Sequence, residues 1–389
     1  MRSVHLSWLV LPLASGTLAQ VPAAIQNPEE NHIVKQVMIY YEPGRFAGWP
    51  ANHGMWIWGN EMLVGFSRGY YKNLGPKRHN IDRQRPEEFL LARSTDGGES
   101  WTIENPLDKG DLVPRGEFLH GTELPGVPLP PTTDCPGGVE LTHPGFAMTL
   151  RMDNIDGGQS RFEYSYDRGK SWEGPFKLPN FDTPGVSART DYIVDGKHQA
   201  MVFLTCAKKD GNEGRVFCGR TTDGCQTWEF VSWIGGEPEG YEIMPSTVRL
   251  SDTELLTTTR VREPHSGPSW IDAYVSHDNG QTWQYLNRPV PDTGEGNPPS
   301  MIRLQDGRVC LTYGYRAAPF KMCAKLSSDG GLNGGNEIVL RSGGGGGDMG
   351  YPRTLQRPDG KVVTTYYFWD EKTGPERYIA ATIWDPAKL

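Results

Sequence analysis

Apolar and β-branched residues run through this chain in bursts of five to eight, separated by turns rich in Asp, Gly and Pro. The phrases SARTDYIVDGKHQAMVFLT from Ser187 and MPSTVRLSDTELLTTTR from Met244 share one plan: an apolar strand, a tight turn, a second β-rich strand. NPPSMIRLQDGRVCLTYGYR from Asn297 and YPRTLQRPDGKVVTTYYF from Tyr351 repeat it. Related phrases begin at Trp49 (WPANHGMWIWGNEMLVGFSRG) and His143 (HPGFAMTLRM), which makes six units. None carries the 3.6-residue apolar period of a helix.

A second pattern is interleaved with the first. STDGGESW (Ser94 to Trp101) returns as SYDRGKSW from Ser165, TTDGCQTW from Thr221 and SHDNGQTW from Ser276, with a shortened copy, SSDGG, from Ser327. The aspartate can cap backbone N–H groups just ahead of it, glycine supplies positive φ, and the tryptophan folds back as an apolar plug. An aspartate repeated with the same neighbours holds up equivalent turns; it does not catalyse in one of them. Six units of short strands joined by such turns predict an all-β fold, a six-bladed β-propeller of four-stranded antiparallel blades. It runs from about residue 33 to the C-terminus without a separate domain.

The N-terminus departs from this plan. A basic start at Arg2, an apolar run from Leu6 to Ala14 and small residues ending at Ala19 describe a secretory signal peptide. The expected organisation is therefore a signal over 1–19, a single propeller domain over 20–389, and a secreted, extracellular or periplasmic protein. No segment approaches the ~20 apolar residues of a membrane span. A net charge of −8 disfavours nucleic acid and anionic membranes as partners. Secretion permits disulfides: Cys206 and Cys218, and Cys310 and Cys323, flank turns, so each pair could bridge a hairpin. Cys135 and Cys225 are left, paired together or free. Neither a Cys-x-x-Cys zinc spacing nor a recognisable calcium loop occurs, so no metal or cofactor is expected.

Six units with Ser-x-Asp-x-Gly-x-x-Trp turns resemble the sialidase superfamily, in which this turn is called the Asp box. The resemblance spans essentially the whole mature chain, and it implies that the boxes lie at the blade periphery while catalysis occurs near the central axis. It further implies a retaining exo-glycoside hydrolase with a tyrosine nucleophile, a glutamate that takes its proton, an acid/base aspartate and arginines that clamp the substrate carboxylate. Tyr351, in MGYPRTLQRPDG, matches the nucleophile's place in the sixth unit. Glu242 matches its partner, with Glu239 as competitor, and Asp82 in KRHNIDRQRPEE matches the acid/base, with Glu87 and Glu88 as substitutes. Arg45, Arg260 and Arg316 match the clamp, and Lys321 stands where the third arginine opens a strand.

Other features have no family role. Trp49, His53, Trp56 and Trp58, followed by Arg68, Tyr70, Tyr71 and Lys72, could form a sugar platform, with Trp56 and Trp58 better read as inter-blade packing. Arg189 and Asp191 begin the third inner strand as a candidate salt bridge, and Glu140 and His143 begin the second. SGGGGGD, Ser342 to Asp348, reads as a mobile loop or a linker. The sequence thus points to an exo-α-sialidase-like enzyme acting on glycans. The alternatives are a propeller glycosidase or lyase on another polysaccharide unit, or a non-catalytic carbohydrate-binding propeller.

Overall fold

A computed structural model of the chain describes residues 31–76, 78–116 and 124–389; the proposed signal peptide lies outside them. Its strands are dense in Val, Thr, Tyr and Ile, which suit a pleated surface packed on both faces. Leu255–Arg262, for instance, is buried at every position but the last. Alternation therefore sorts residues between two neighbouring blades rather than between core and solvent. In Glu213–Thr221, Phe217 packs with Leu204 and Phe181, whereas Val216 and Cys218 pack with Phe203 and Tyr274 on the other side.

Six antiparallel sheets result, and they form a six-bladed propeller. The fourth blade holds Tyr241–Arg249, Leu255–Arg262, Ser269–Ser276 and Gln284–Val290; the fifth runs from Ser300–Arg303 to Ile338–Arg341. The sixth comprises Gly350–Gln356, Val362–Phe368 and Tyr378–Trp384, and Ile33–Tyr40 from the other end of the chain closes it, pairing with Tyr378–Trp384. Three blades differ from the simple four-stranded plan. In the first and third, the inner strand is split: Arg45–Gly48 and Met55–Trp58 both pair with Glu61–Tyr70, and Val186–Ser187 and Tyr192–Gly196 both pair with Gln199–Ala207. The second blade has three strands, Ala147–Arg151, Arg161–Ser165 and Glu173–Lys177. Glu140 and His143, expected to open its inner strand, instead lie in turns, where the His143 amide donates to the Glu140 carbonyl and Pro144 offers no N–H to a ladder.

Each Asp motif closes the turn between the last two strands of its blade. In the first, Ser94 Oγ donates to Asp96 Oδ1 (2.8 Å) and accepts from the Gly98 amide (2.8 Å), while Asp96 Oδ1 accepts from the Ser100 amide (2.9 Å). The copies at Asp167 and Asp278 repeat this network, and Asp329 does so with Asn333 in place of Ser or Thr. The third copy carries Cys225 at the glycine position, and that residue still adopts a φ of 68°. Trp172 wedges against Trp56 and Leu63 of the preceding blade, and Trp283 packs on the cluster of Phe203 and Val216.

All six cysteines are free and buried, so neither expected hairpin disulfide forms. Cys206 pairs in register with Arg215 and Cys218 with Phe203, three positions apart. An odd offset sends the two sulfurs to opposite faces of the sheet. Cys310 and Cys323 are separated in the same way, opposite Leu326 and Tyr313. The glycine run before Tyr351 is packed rather than loose: a Cβ at Gly345 would lie 2.4 Å from the Trp369 ring, and one at Gly344 2.9 Å from Phe320.

Candidate active site

Three inner strands are broken or bulged at a residue with left-handed backbone that precedes a proline. These are Trp49 (φ 60°), Met244 (φ 54°) and Tyr351 (φ 51°). Non-glycine residues avoid this region, and such strain concentrates where surrounding contacts over-determine it. At Tyr351 the determinant is Asn297, which is fully buried. Its Oδ1 accepts from the amides of Tyr351 (3.1 Å) and Gly314 (3.2 Å), and its Nδ2 donates to the Met349 carbonyl (2.9 Å). The bulged strand presents the Tyr351 ring to a pocket of about 570 Å³, which Trp49, Ser67, His79, Arg83, Arg151 and Arg189 also line.

Arg260 reaches Tyr351 from the fourth blade: its Nη1 donates to the phenol oxygen at 3.2 Å. The guanidinium is buried and has no carboxylate within salt-bridge reach among the described residues. Strand alternation then carries Glu242 away from Tyr351. Tyr241 and Ile243 share the cluster of Tyr351, so Glu242 between them points to the opposite face. There its carboxylate accepts from Thr259 (2.5 Å) and Tyr274 (3.3 Å) and makes no hydrogen bond to Tyr351. Burial pushes Glu242 up to about 7. Glu239 is exposed.

The remaining expected residues are committed elsewhere. Arg45 pairs with Glu88 at 2.8 Å, donates to the Gly69 carbonyl and stacks on Tyr70; Glu88 also holds Arg68. Arg316 donates to Tyr367 Oη (2.7 Å) and the Gly296 carbonyl and lies 3.5 Å from Asp348. Lys321 is paired with Glu337. Asp82 turns to Lys72 at 3.0 Å; although burial opposes ionisation, Lys72 and the Gln84 amide hold its pKa below the usual carboxylate range, an unsuitable state for a proton donor. Glu87 pairs with Arg83. Arg189 bonds Glu213 at 2.5 Å rather than Asp191. Asp191 instead faces Arg353 in a second, narrow crevice that also borders Arg189, and burial pushes its pKa up to about 7 against the pull of Arg353.

The pocket thus takes its charge from side chains that family spacing does not point to. Arg151 is buried over Phe89, donates to the Asn52 carbonyl (3.1 Å) and has no carboxylate within salt-bridge reach among the described residues. Burial, then the adjacent Arg161 charge, pushes Arg151 down to about 9 against the pull of Glu163, Glu87 and Asp153. The guanidinium stays protonated at neutral pH. Three arginines line the cavity directly, of which Arg83 is paired with Glu87 and Arg189 with Glu213 behind the wall; Arg260 stands behind Tyr351, and the lining contains no carboxylate among the described residues. Arg151 leaves guanidinium donors free of a salt bridge at this wall, a chemistry that matches the oxygens of an anion. Of the aromatic platform, Trp49 lines the pocket, Trp56 packs between blades against Trp172 and Tyr192, and Tyr70 lies between Arg45 and Arg85. Among the described residues no three His, Cys, Asp or Glu side chains are grouped to hold a metal ion, and no helix is long and apolar enough to cross a membrane.

Fold and turn motifs together define a sialidase-like BNR propeller. The family model for the BNR repeat-like domain matches residues 147–364, and the chain belongs to that family. Among solved structures, a protein of unknown function from Dyadobacter fermentans superposes with a TM-score of 0.68 at 20% identity, covering 91% of this chain and 98% of that one. The NanB sialidase from Streptococcus pneumoniae gives a TM-score of 0.58 at 11% identity, over 92% and 71% of the two chains. Trypanosoma rangeli sialidase, bound to 2,3-difluorosialic acid as a covalent intermediate, gives 0.52 at 13% identity over 85% and 53%. At these identities the likeness concerns the fold. Compared with curated protein sequences, the chain finds no match.

Proposed function

We propose that the protein is a secreted exo-acting glycoside hydrolase that releases a terminal carboxylated sugar of the sialic acid type from glycans with retention of configuration. The observation that carries this reading is the Tyr351 phenol, hydrogen-bonded by the carboxylate-free Arg260 at the wall of an arginine-lined pocket. Tyr351 is the nucleophile: a neutral phenol repels an incoming anion less than a carboxylate does, and Arg260 stabilises the phenolate as it forms. The substrate carboxylate sits among Arg151, Arg189 and Arg83 rather than Arg45 and Arg316. The ring of Trp49 offers an apolar face to the sugar.

The test is hydrolysis of an aryl α-sialoside by the purified protein and by Tyr351→Phe. Turnover by the former and its loss in the latter, with the fold intact, supports the reading. Binding without turnover across sialosides and uronides indicates a carbohydrate-binding propeller. A second reading is favoured by the commitment of Arg45 and Arg316 to internal partners, which leaves an altered clamp: the carboxylated sugar is then a uronic acid within another polysaccharide, cleaved by hydrolysis or elimination. Turnover of uronides but not sialosides distinguishes it.

A further inference from the structure

The loop that carries Asp82 also carries His79, three residues earlier, and it is His79 that lines the pocket. Its Nδ1 lies 2.7 Å from Asp348 Oδ1. Asp348 is buried at the end of the packed glycine run and accepts in addition from the Asn80 amide (3.1 Å), Arg377 Nε (3.1 Å) and Tyr367 Oη (2.7 Å). So many donors fix it as an anion, and its pKa is held far below the usual range although burial opposes this. Asp348, an anionic acceptor at 2.7 Å, assigns the imidazole proton to Nδ1 over the Trp49 Nε1 donor, which stands farther from the same nitrogen at 3.4 Å. Nε2 then has no partner among the described residues and is the nitrogen available to a ligand. The imidazole and Tyr351 rings are nearly perpendicular, at 78° with centroids 6.0 Å apart.

We propose that His79, oriented by Asp348, is the base that takes the Tyr351 proton, the work that Glu242 does not do here. The inference rests on the glycosidase reading above. In the first step His79 Nε2 takes the phenol proton as the Tyr351 oxygen bonds to the anomeric carbon. The glycosidic C–O bond breaks with its electron pair on the departing oxygen, which lies on the opposite face of that carbon and takes its proton from solvent water. In the second step water attacks that opposite face and releases its proton to solvent, and the Tyr351 oxygen leaves and takes its own proton back from His79. Each step conserves protons and charge, and His79 serves Tyr351 as base and acid in turn.

The resting state suits this work. Burial lowers the His79 pKa below its ordinary value and Arg316 and Arg83 add to that, while Asp348 opposes them. The other groups facing the ring, Tyr351, Tyr367 and Trp49, are uncharged at neutral pH. His79 is therefore neutral and ready to accept.

The experiment compares His79→Gln with the unaltered protein on 3′-sialyllactose, whose leaving group needs a proton, and on 4-nitrophenyl sialoside, whose leaving group needs little. Loss of kcat/KM on the order of 100- to 10,000-fold on both substrates and disappearance of the acidic limb of the pH profile support the proposal, because the phenol must lose its proton whatever the leaving group. A loss confined to the first substrate, or an unchanged profile, overturns it. If the unaltered protein turns over neither substrate, the sialidase reading has failed separately. The imidazole ¹⁵N resonances, identified by their loss in His79→Gln, then decide the residue's own state. A neutral ring protonated on Nδ1 at pH 7 supports the role of base. An imidazolium locked to Asp348 from pH 5 to 8 overturns it.

Discussion

Arg260 and Tyr351 are 91 residues apart in sequence and two blades apart in the ring, yet the guanidinium donates to the phenol at 3.2 Å. Arg260 has no carboxylate within salt-bridge reach among the described residues, and the phenol oxygen accepts its side-chain hydrogen bond. Tyr351→Phe is expected to lower turnover on the order of 1,000-fold or more, while the ring keeps its place among Ile243, Tyr241 and Tyr367. The loss of one hydrogen bond from a charged donor costs about 1.5–3 kcal/mol of stability. Thermal unfolding and initial rates on the same samples check both halves.

Glu242→Gln separates sequence expectation from structure. A glutamate that takes the tyrosine's proton cannot be replaced by an amide; one that hydrogen-bonds Thr259 and Tyr274 behind the strand can. Turnover is expected to stay within about threefold, on the scale of RT. The stability effect depends on pH. The folded pKa of about 7 exceeds the unfolded value near 4.5, so stability attached to the protonated form is complete below pH 4.5 and is lost as pH rises through 7. The amide introduced by the substitution does not titrate. The variant should therefore gain a few degrees of Tm over the parent at pH 8 and little at pH 4.5. An equal shift at both pH values would remove this account.

Asn297 supports Tyr351 without facing the pocket. Asn297→Ala leaves the amides of Tyr351 and Gly314 unpaired in the interior, at about 1–3 kcal/mol each, and releases the left-handed backbone at φ 51°. The expected outcome is a lower Tm together with a fall in kcat larger than the rise in KM, because the tyrosine is misplaced rather than absent. Asn297→Asp restores the acceptor but not the Nδ2 donor to Met349, and should recover part of kcat.

Arg151 lines the pocket, and Arg45, which the family resemblance suggests for the clamp, does not. Arg151→Met removes a positive charge without a salt-bridge partner from the pocket and should raise KM for a carboxylated sugar about 10- to 100-fold, the worth of one lost charge-assisted contact. Arg45→Met should leave KM unchanged and cost about 1–3 kcal/mol of stability, because Glu88 retains Arg68 as partner. Competition by the free sugar acid, measured on both variants, compares them directly.

The fold was legible because its signal is local. Ser94, Asp96 and Gly98 close a turn by contacts between near neighbours, so the motif reads the same in the sequence and in space. Tyr351 and Arg260 stand at recurring strand positions, Tyr351 near the start of the sixth inner strand and Arg260 near the end of the second strand of the fourth blade, so the repeat register picks both out. Asp82 and His79 were not separable, because three residues of irregular loop decide which side chain meets Lys72 and which meets Asp348. Glu242 was misplaced by strand parity, which the bulge between Ile243 and Ser246 obscures. Arg189 drew notice, but its partner Glu213 lies two strands along the same blade and no spacing rule joins them. A further local signal points at the site: Trp49-Pro50, Met244-Pro245 and Tyr351-Pro352 mark the same bent position in three blades.

The sixth blade, which carries Tyr351, borrows its outermost strand from Ile33–Tyr40 and receives its third only at Tyr378–Trp384. Ile33–Tyr40 must therefore wait, unpaired, until Tyr378–Trp384 has been made. Until then the sixth blade that carries Tyr351 is unfinished. Loss of a dozen residues from the C-terminus would remove both the seam of the ring and the support of the tyrosine, so integrity of the chain end and competence of the site are tested by the same event.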